Sequence, residues 1–214
     1  AATIPAEHRA FVDDILARYR VPDLPPDEVS RRGVMAGSSD AAPFSAARAA
    51  PQLEIALAHR PALVVNALGP PPAHMIERVK AEGRRVGALA GTAVHAERHV
   101  QAGVDVIIAQ GSEAGGHTGE IGSMVLIPEI VDAVAAMTSH VPVLGAGGIG
   151  RGRQMAAAMA LGAQGVWCGS VWLTTDEAET HPVVKQKFLK ATSRDTGRSR
   201  SITGKPARQL PTAW

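Results

Sequence analysis

The sequence predicts an α/β fold of the (β/α)8, or TIM-barrel, type that lacks its N-terminal strands in this chain. Three observations carry that expectation. Short apolar runs alternate with helical segments from about residue 63, a helix-ending glycine twice leads within two residues into a strand, and the strands end in glycine-rich turns. Repeated βα units whose strands are apolar on both faces imply parallel pairing with right-handed crossovers.

The elements follow in chain order. Residues 1–62 read as a helical, proline-interrupted segment: a helix over Ala6–Tyr19, a proline-rich break over Val21–Pro26, a short strand hidden in Gly33–Gly37, and a helix over Pro43–His59. Residues 63–214 form the βα-repeat region. Its strands are expected at Leu63–Leu68, Arg85–Ala90, Val104–Ala109, Val141–Ala146 and Gln164–Cys168, with helices at Ala73–Glu82, Ala93–Ala102, Ile127–Met137 and Gly152–Leu161. Thr92 suits an N-cap, Pro128 a first helical turn, and Gly83, Gly103 and Gly162 stand where helix-terminating glycines belong. A closed barrel needs eight strands and typically about 250 residues. Five strands are visible here, so either the opening ones lie upstream of Ala1, which is the expectation, or the sheet stays open.

Strand starts at 63, 85, 104, 141 and 164 are 22, 19, 37 and 23 residues apart. The long interval holds the extra stretch Gly111 to Met124. In such folds ligands collect at the C-terminal strand ends, and the long βα loops carry the chemistry.

Composition narrows the rest. Hydrophobic residues make up 45% but aromatics only 3%, so the core must be built from Ala, Val, Leu, Ile and Met. Twenty-two basic against 20 acidic residues leave a formal charge of +2, which gives no support for nucleic-acid binding. The locally basic stretch Lys185 to Arg208 reads as a solvated face. The single cysteine, Cys168, excludes an intramolecular disulfide and reads as a buried thiol within a strand. No signal peptide and no apolar run of membrane length stand out, so a cytoplasmic protein without membrane contact is expected.

Three motifs carry chemistry. Gln110-Gly-Ser-Glu-Ala-Gly-Gly-His117 follows an apolar strand, and its three glycines let the backbone approach a ligand closely. Histidine exchanges protons near neutral pH, so His117 is the candidate base. Gln110, at the strand end, can hydrogen-bond a ring edge, and Glu113 either orders the loop or assists the base. Val141-Pro-Val-Leu-Gly-Ala-Gly-Gly-Ile-Gly150 and Gly165-Val-Trp-Cys-Gly-Ser170 each end a strand in small residues. Two adjacent nests of backbone N–H groups, one at a helix N-terminus, make a phosphate cradle from Gly147, Gly148, Gly169 and Ser170. No acidic residue follows at the spacing a Rossmann fingerprint requires. His8, His59, His74, His95, His99, His140 and His181 read as structural or surface histidines, and no cluster has metal-ligand spacing.

Together these motifs resemble the nitronate monooxygenases, formerly called 2-nitropropane dioxygenases, over roughly Leu63 to Trp214. The resemblance implies a TIM barrel holding FMN, with the flavin phosphate on Gly147, Gly148, Gly169 and Ser170 and the rest of the cofactor near Gln110, Gly115, Gly116 and Ala146. It also implies that His117 acts as a base toward a neutral nitroalkane or helps hold a nitronate, which O2 then oxidises to a carbonyl compound and nitrite. The family's short loop after its first strand, which meets the flavin ring, has no counterpart here. An incomplete barrel would leave apolar surface that can drive homo-oligomerisation.

Two other readings stay open. The same Glu-Ala-Gly-Gly-His loop resembles the FMN-dependent enoyl-acyl-carrier-protein reductases, as does His181-Pro182 with the following Lys185 to Lys190. A truncated, non-catalytic flavin-binding barrel is the other. Inosine-monophosphate dehydrogenase shares the phosphate pair but needs a loop cysteine as nucleophile, a place that a strand-borne Cys168 does not fill.

Overall fold

A computed structural model describes residues 5–22, 46–67, 69–137, 140–201 and 203–211. The chain divides into two compact units, Ala1–His59 and Arg60–Trp214.

The first unit contributes two helices, α1 (Ala6–Arg18) and α2 (Ala46–Ala58). No residue of α1 is buried, and Phe11 is 65% exposed. An Arg18–Asp14 contact of 3.2 Å ties its last turn, and Arg20 at φ +51° turns the chain out of the helix. The expected strand at Gly33–Gly37 lies outside the described residues.

The second unit carries the sheet. Strands β1 (Leu63–Asn66), β2 (Arg85–Ala90), β3 (Val106–Gln110), β5 (Val143–Ala146) and β6 (Gly165–Trp167) pair in parallel in that order, interleaved with α3 (Ala73–Ala81), α4 (Ala93–Gln101), α5 (Ser123–Ala136) and α6 (Gly152–Ala160). Each strand lies beside the one that precedes it in this series. A doubly wound sheet would reverse direction partway; a singly wound one is the wall of a (β/α)8-type barrel.

The central strands are buried on both faces, β3 over Val106, Ile107, Ile108 and Ala109 in succession. Val86, Ala88, Ala90, Ile107, Ala109 and Val143 are buried, and the helices bury Ile76 and Val79 from α3, Ala96 and His99 from α4, and Leu126, Ile127, Ile130 and Val134 from α5. Burying each large aliphatic side chain is worth roughly 1.5–3 kcal/mol. Gly145 marks how closely the layers approach: a Cβ there would stand 2.9 Å from Ile127 Cδ1 and 3.1 Å from Ala158 Cβ. On the other face, Gly87 sits against Leu63, Val65 and Ile108. At the N-terminal ends of the strands, Asp105 accepts from Val86 N at 2.8 Å and pairs with Lys80 at 2.9 Å.

The helix punctuation matches expectation: Thr92 Oγ1 accepts from His95 N at 3.2 Å, and Gly83, Gly103 and Gly162 take φ of +67°, +89° and +97°. Three details differ. Strands β3 and β5 begin two residues later than the apolar runs, at Val106 and Val143. Helix α5 begins at Ser123 rather than Ile127, which puts Pro128 inside the helix instead of in its first turn. Its missing N–H leaves the Met124 carbonyl without the usual partner, on a residue that is 68% exposed and open to water. Cys168 is half-buried and follows the last residue of β6.

A second sheet was not anticipated. Strand β4 (Gly116–His117) pairs antiparallel with β8 (Ala207–Gln209), which pairs with β7 (Gly197–Ser199). A 3-10 turn over Ser170–Thr174 and helix α7 (Pro182–Lys190) lead into it.

Candidate active site

The candidate residues gather at the C-terminal ends of three neighbouring strands. Gln110 ends β3 and is the register partner of Ala146, which ends β5. Ala146 is in turn the register partner of Trp167, whose strand leads on to Gly169 and Ser170. Parallel pairing forces this convergence, because every strand end then faces the same way.

The loop after β3 crosses directly over the turns after β5 and β6. A Cβ on Gly115 would stand 2.6 Å from Ser170 Oγ, and one on Gly148 would stand 3.1 Å from Glu113 Cβ. Gly111 N–H donates to the Ala146 carbonyl at 2.9 Å, joining loop to turn. Gly147 and Gly148 take φ of +112° and +67°, conformations that side chains disfavour. The loop and the turn can approach this closely because side chains are absent between them.

The cradle has free donors. Among the described residues, the N–H groups of Gly147, Gly148 and Gly169 donate to no protein acceptor, and Ser170 Oγ makes no hydrogen bond. Helix α6 starts at Gly152, so its positive end faces the same turn. Gln154 latches that turn from inside the helix: its Oε1 accepts from Gly150 N at 3.0 Å and its Nε2 donates to the Gly148 carbonyl at 2.7 Å. Three unpartnered backbone donors and a hydroxyl on adjacent turns beside a helix N-terminus are the donor set a phosphate group takes.

Glu113 orders the loop. Its carboxylate accepts from Ser123 N at 2.9 and 3.1 Å and from Ser123 Oγ at 2.9 Å, capping the first turn of α5. Ser123 Oγ also lies 3.1 Å from the Gly147 carbonyl, so the cap reaches the cradle. The helix therefore starts where this carboxylate supplies an acceptor, four residues before the apolar run that announces it.

His117 is half-buried in β4, with its Nε2 2.6 Å from Thr203 Oγ1. The basic stretch read as a solvated face bonds backbone at four positions: Lys185 donates to the Thr175 carbonyl at 2.6 Å, Lys187 to the Pro211 carbonyl at 2.5 Å, and two arginines reach the histidine loop. Arg208 donates from Nε to the Ser112 carbonyl at 3.0 Å and from Nη1 to Thr196 Oγ1 at 2.9 Å, and Arg198 donates to the Gly119 carbonyl at 2.8 Å. Both guanidinium groups thus pin the histidine loop by its backbone. Thr203, Arg198, Arg208, Ser123 and Gln154 were not legible as site residues, because each acts across a turn or a long sequence separation.

The other histidines take structural places where the structure resolves a role. His99 is buried with Nε2 3.1 Å from the Leu89 carbonyl, and burial holds its pKa below the usual 6.5, the Leu89 hydrogen bond opposing that shift. His181 caps α7, its Nδ1 accepting from Val183 N at 3.3 Å. Among the described residues no group of three or more His, Cys, Asp or Glu side chains could hold a metal ion, and no helix is long and apolar enough to cross a membrane.

Comparison with known proteins gives a consistent picture. The family model for nitronate monooxygenase matches residues 16–214. Rv1533 of Mycobacterium tuberculosis (strain ATCC 25618 / H37Rv), provisionally named a monooxygenase, is 60% identical over 211 residues, spanning 99% of this chain and 54% of the relative. The (3aS,4S,5R,7aS)-5-hydroxy-7a-methyl-1-oxo-octahydro-1H-indene-4-carboxyl-CoA dehydrogenase of Rhodococcus jostii (strain RHA1) is 40% identical over 142 residues, 66% of this chain and 39% of that protein. Among solved structures, the nitroalkane oxidase of Streptomyces ansochromogenes superposes with a TM-score of 0.67 at 32% identity, over 76% of this chain and 49% of the other. The chain spans about half the length, or less, of these relatives.

Proposed function

The chain belongs to the nitronate monooxygenase family, and on that premise we propose that it forms the phosphate-binding and proton-accepting part of an FMN enzyme that oxidises alkyl nitronates and nitroalkanes with O2. The observation that carries the reading is the close approach of two features: a loop bearing a half-buried histidine, and a cradle of unpartnered backbone donors.

In this reading Gly147, Gly148 and Gly169 donate their N–H groups, and Ser170 its hydroxyl, to the flavin phosphate, with the α6 dipole adding to the field. Gln110, Gly115, Gly116 and Ala146 line the approach to the rest of the cofactor. Bound FMN would supply the electron transfer from the nitronate to O2, after which the carbon leaves as a carbonyl compound and the nitrogen as nitrite.

His117 removes the α-proton of a neutral nitroalkane, whose negative charge delocalises onto the nitro oxygens. A positioned base of this kind is worth roughly 10²–10⁴-fold in rate. A nitronate arrives already deprotonated, so there the ring only orients the substrate. The loop's fastening by Glu113, Arg198 and Arg208 supports this role, since a base must be held within reach of its proton.

A second reading, FMN-dependent chemistry on an acyl thioester, is favoured by the 40% identity to a protein named as a carboxyl-CoA dehydrogenase. One experiment separates the two. The purified chain, loaded with FMN, is mixed anaerobically with an alkyl nitronate, and its flavin absorbance is followed. Bleaching of the flavin bands is expected. Flavin that stays oxidised, together with NADH consumption on an enoyl thioester, would replace the first reading with the second; a chain that takes up no FMN would favour a third, in which these residues do not by themselves form a catalyst.

A further inference from the structure

We propose that Thr203 is a positioning residue for His117: its hydroxyl accepts from Nε2–H of the ring, leaving Nδ1 as the atom that takes the substrate's proton. The inference rests on the reading of His117 as the base.

The contact is short and long-range. Nε2 and Oγ1 are 2.6 Å apart, between residues separated by 86 positions in the chain. It is the one hydrogen bond of the His117 ring among the described residues, so Nδ1 has no protein partner there.

Thr203 is itself held. It lies in the turn between β7 and β8, which is closed by Gly204 N donating to the Arg200 carbonyl at 2.9 Å and by Ser201 N donating to Ser199 Oγ at 3.0 Å. Lys205 N–H approaches Thr203 Oγ1 at 3.4 Å. The strands on either side are anchored to the histidine loop, β8 by pairing Ala207 with His117 and by the Arg208 contact to Ser112, and β7 by the Arg198 contact to Gly119. The hairpin is therefore a bracket that delivers one hydroxyl to one ring nitrogen.

The chemistry favours a hydroxyl that accepts. A neutral imidazole protonated at Nε2 has its lone pair on Nδ1. When Nδ1 takes a proton from carbon, the ring becomes cationic and Nε2–H donates more strongly to the same oxygen. The bond persists through the transfer and strengthens with it. Had the hydroxyl donated to a bare Nε2 instead, uptake of the proton on that nitrogen would require the pair to come apart first. A simple alcohol serves because no second titratable group is needed.

The test begins with the unmodified full chain, labelled with 15N-histidine. The expected result is a single Nε2–H tautomer for His117, with Nδ1 as the unprotonated nitrogen; an Nδ1–H tautomer overturns the proposal without any mutation. In Thr203→Val that preference is expected to give way to a mixture of tautomers, and Thr203→Ser is expected to restore it. In the FMN-loaded protein, Thr203→Val should slow oxidation of a neutral nitroalkane roughly tenfold, the equivalent of one ordinary hydrogen bond, and slow oxidation of the preformed nitronate much less. Equal losses on both substrates, or no rescue by serine, make Thr203 a structural residue and sink the idea. If His117→Ala leaves nitroalkane oxidation unchanged, the base reading falls and the catalytic role of Thr203 with it. If instead His117→Ala is inactive while Thr203→Val retains wild-type rate and tautomer, Thr203 alone is eliminated.

Discussion

The carboxylate of Glu113 receives the backbone N–H of Ser123 at 2.9 and 3.1 Å, so the loop that presents His117 also caps the helix that follows it. Ser123 Oγ carries the connection to the Gly147 carbonyl at 3.1 Å. Loop, helix start and cradle are consequently one hydrogen-bonded unit, and a change in any of them should be felt by the others.

Glu113→Ala should therefore cost about 1 kcal/mol of stability, the usual worth of a helix cap, and weaken FMN retention as well. Urea denaturation and flavin fluorescence titration measure the two effects. Glu113→Gln keeps an acceptor oxygen and should fall between. If Glu113→Ala retains flavin at wild-type affinity, cap and cradle are not coupled.

His117→Ala should keep FMN, because its side chain is not among the cradle's donors, yet lose roughly 10²–10⁴-fold in rate on neutral nitroalkanes. Oxidation of preformed nitronates should fall much less. Steady-state rates on the paired substrates decide it: parallel losses would assign the histidine to substrate binding, and unchanged rates would remove it from the reaction.

Gly148→Val should release the cofactor. The position has φ +67°, where a Cβ costs roughly 1–2 kcal/mol, and that Cβ would press on Glu113 at 3.1 Å. Flavin occupancy after gel filtration is the measurement. Full occupancy would count against the phosphate assignment.

Arg208→Met keeps the aliphatic stem and removes the donors to Ser112 and Thr196. Backbone amides over residues 112–119 should then exchange faster in hydrogen–deuterium exchange, while those of β2 and β3 stay protected. Unaltered exchange in the loop would mean that the β4–β8 pairing holds it alone.

His99 should make the fold acid-sensitive. Burial keeps its folded pKa below 6.5, so the unfolded chain takes up the proton first. The stability of the neutral buried ring is present in full above the unfolded value and is lost as pH falls through it toward the lower folded one. Thermal unfolding from pH 7.5 to 5.5 should show a shallower fall in Tm for His99→Leu than for the unaltered chain. Identical slopes would assign the acid sensitivity to other groups.

The parallel sheet and the glycine turns at its strand ends were legible because both are written in local pattern. Each buried strand must be apolar along several consecutive residues, and each cradle turn needs small residues at fixed places after a strand. Helix ends were legible for the same reason at Thr92, Gly83, Gly103 and Gly162. The start of α5 was not, since its capping acceptor is a side chain ten residues upstream in a loop.

Local chemistry along the chain thus determines which segments are strands, that they pair in parallel, and where glycine-rich turns follow them. Tertiary structure decides what surrounds the histidine. The β7–β8 hairpin is only three residues long in each strand, too short to announce itself by alternation, and its arginines carry the same charge whether solvated or bound to a carbonyl. A hydrogen bond across 86 residues leaves no periodicity in the sequence, because nothing in either local segment requires it until folding brings His117 and Thr203 together.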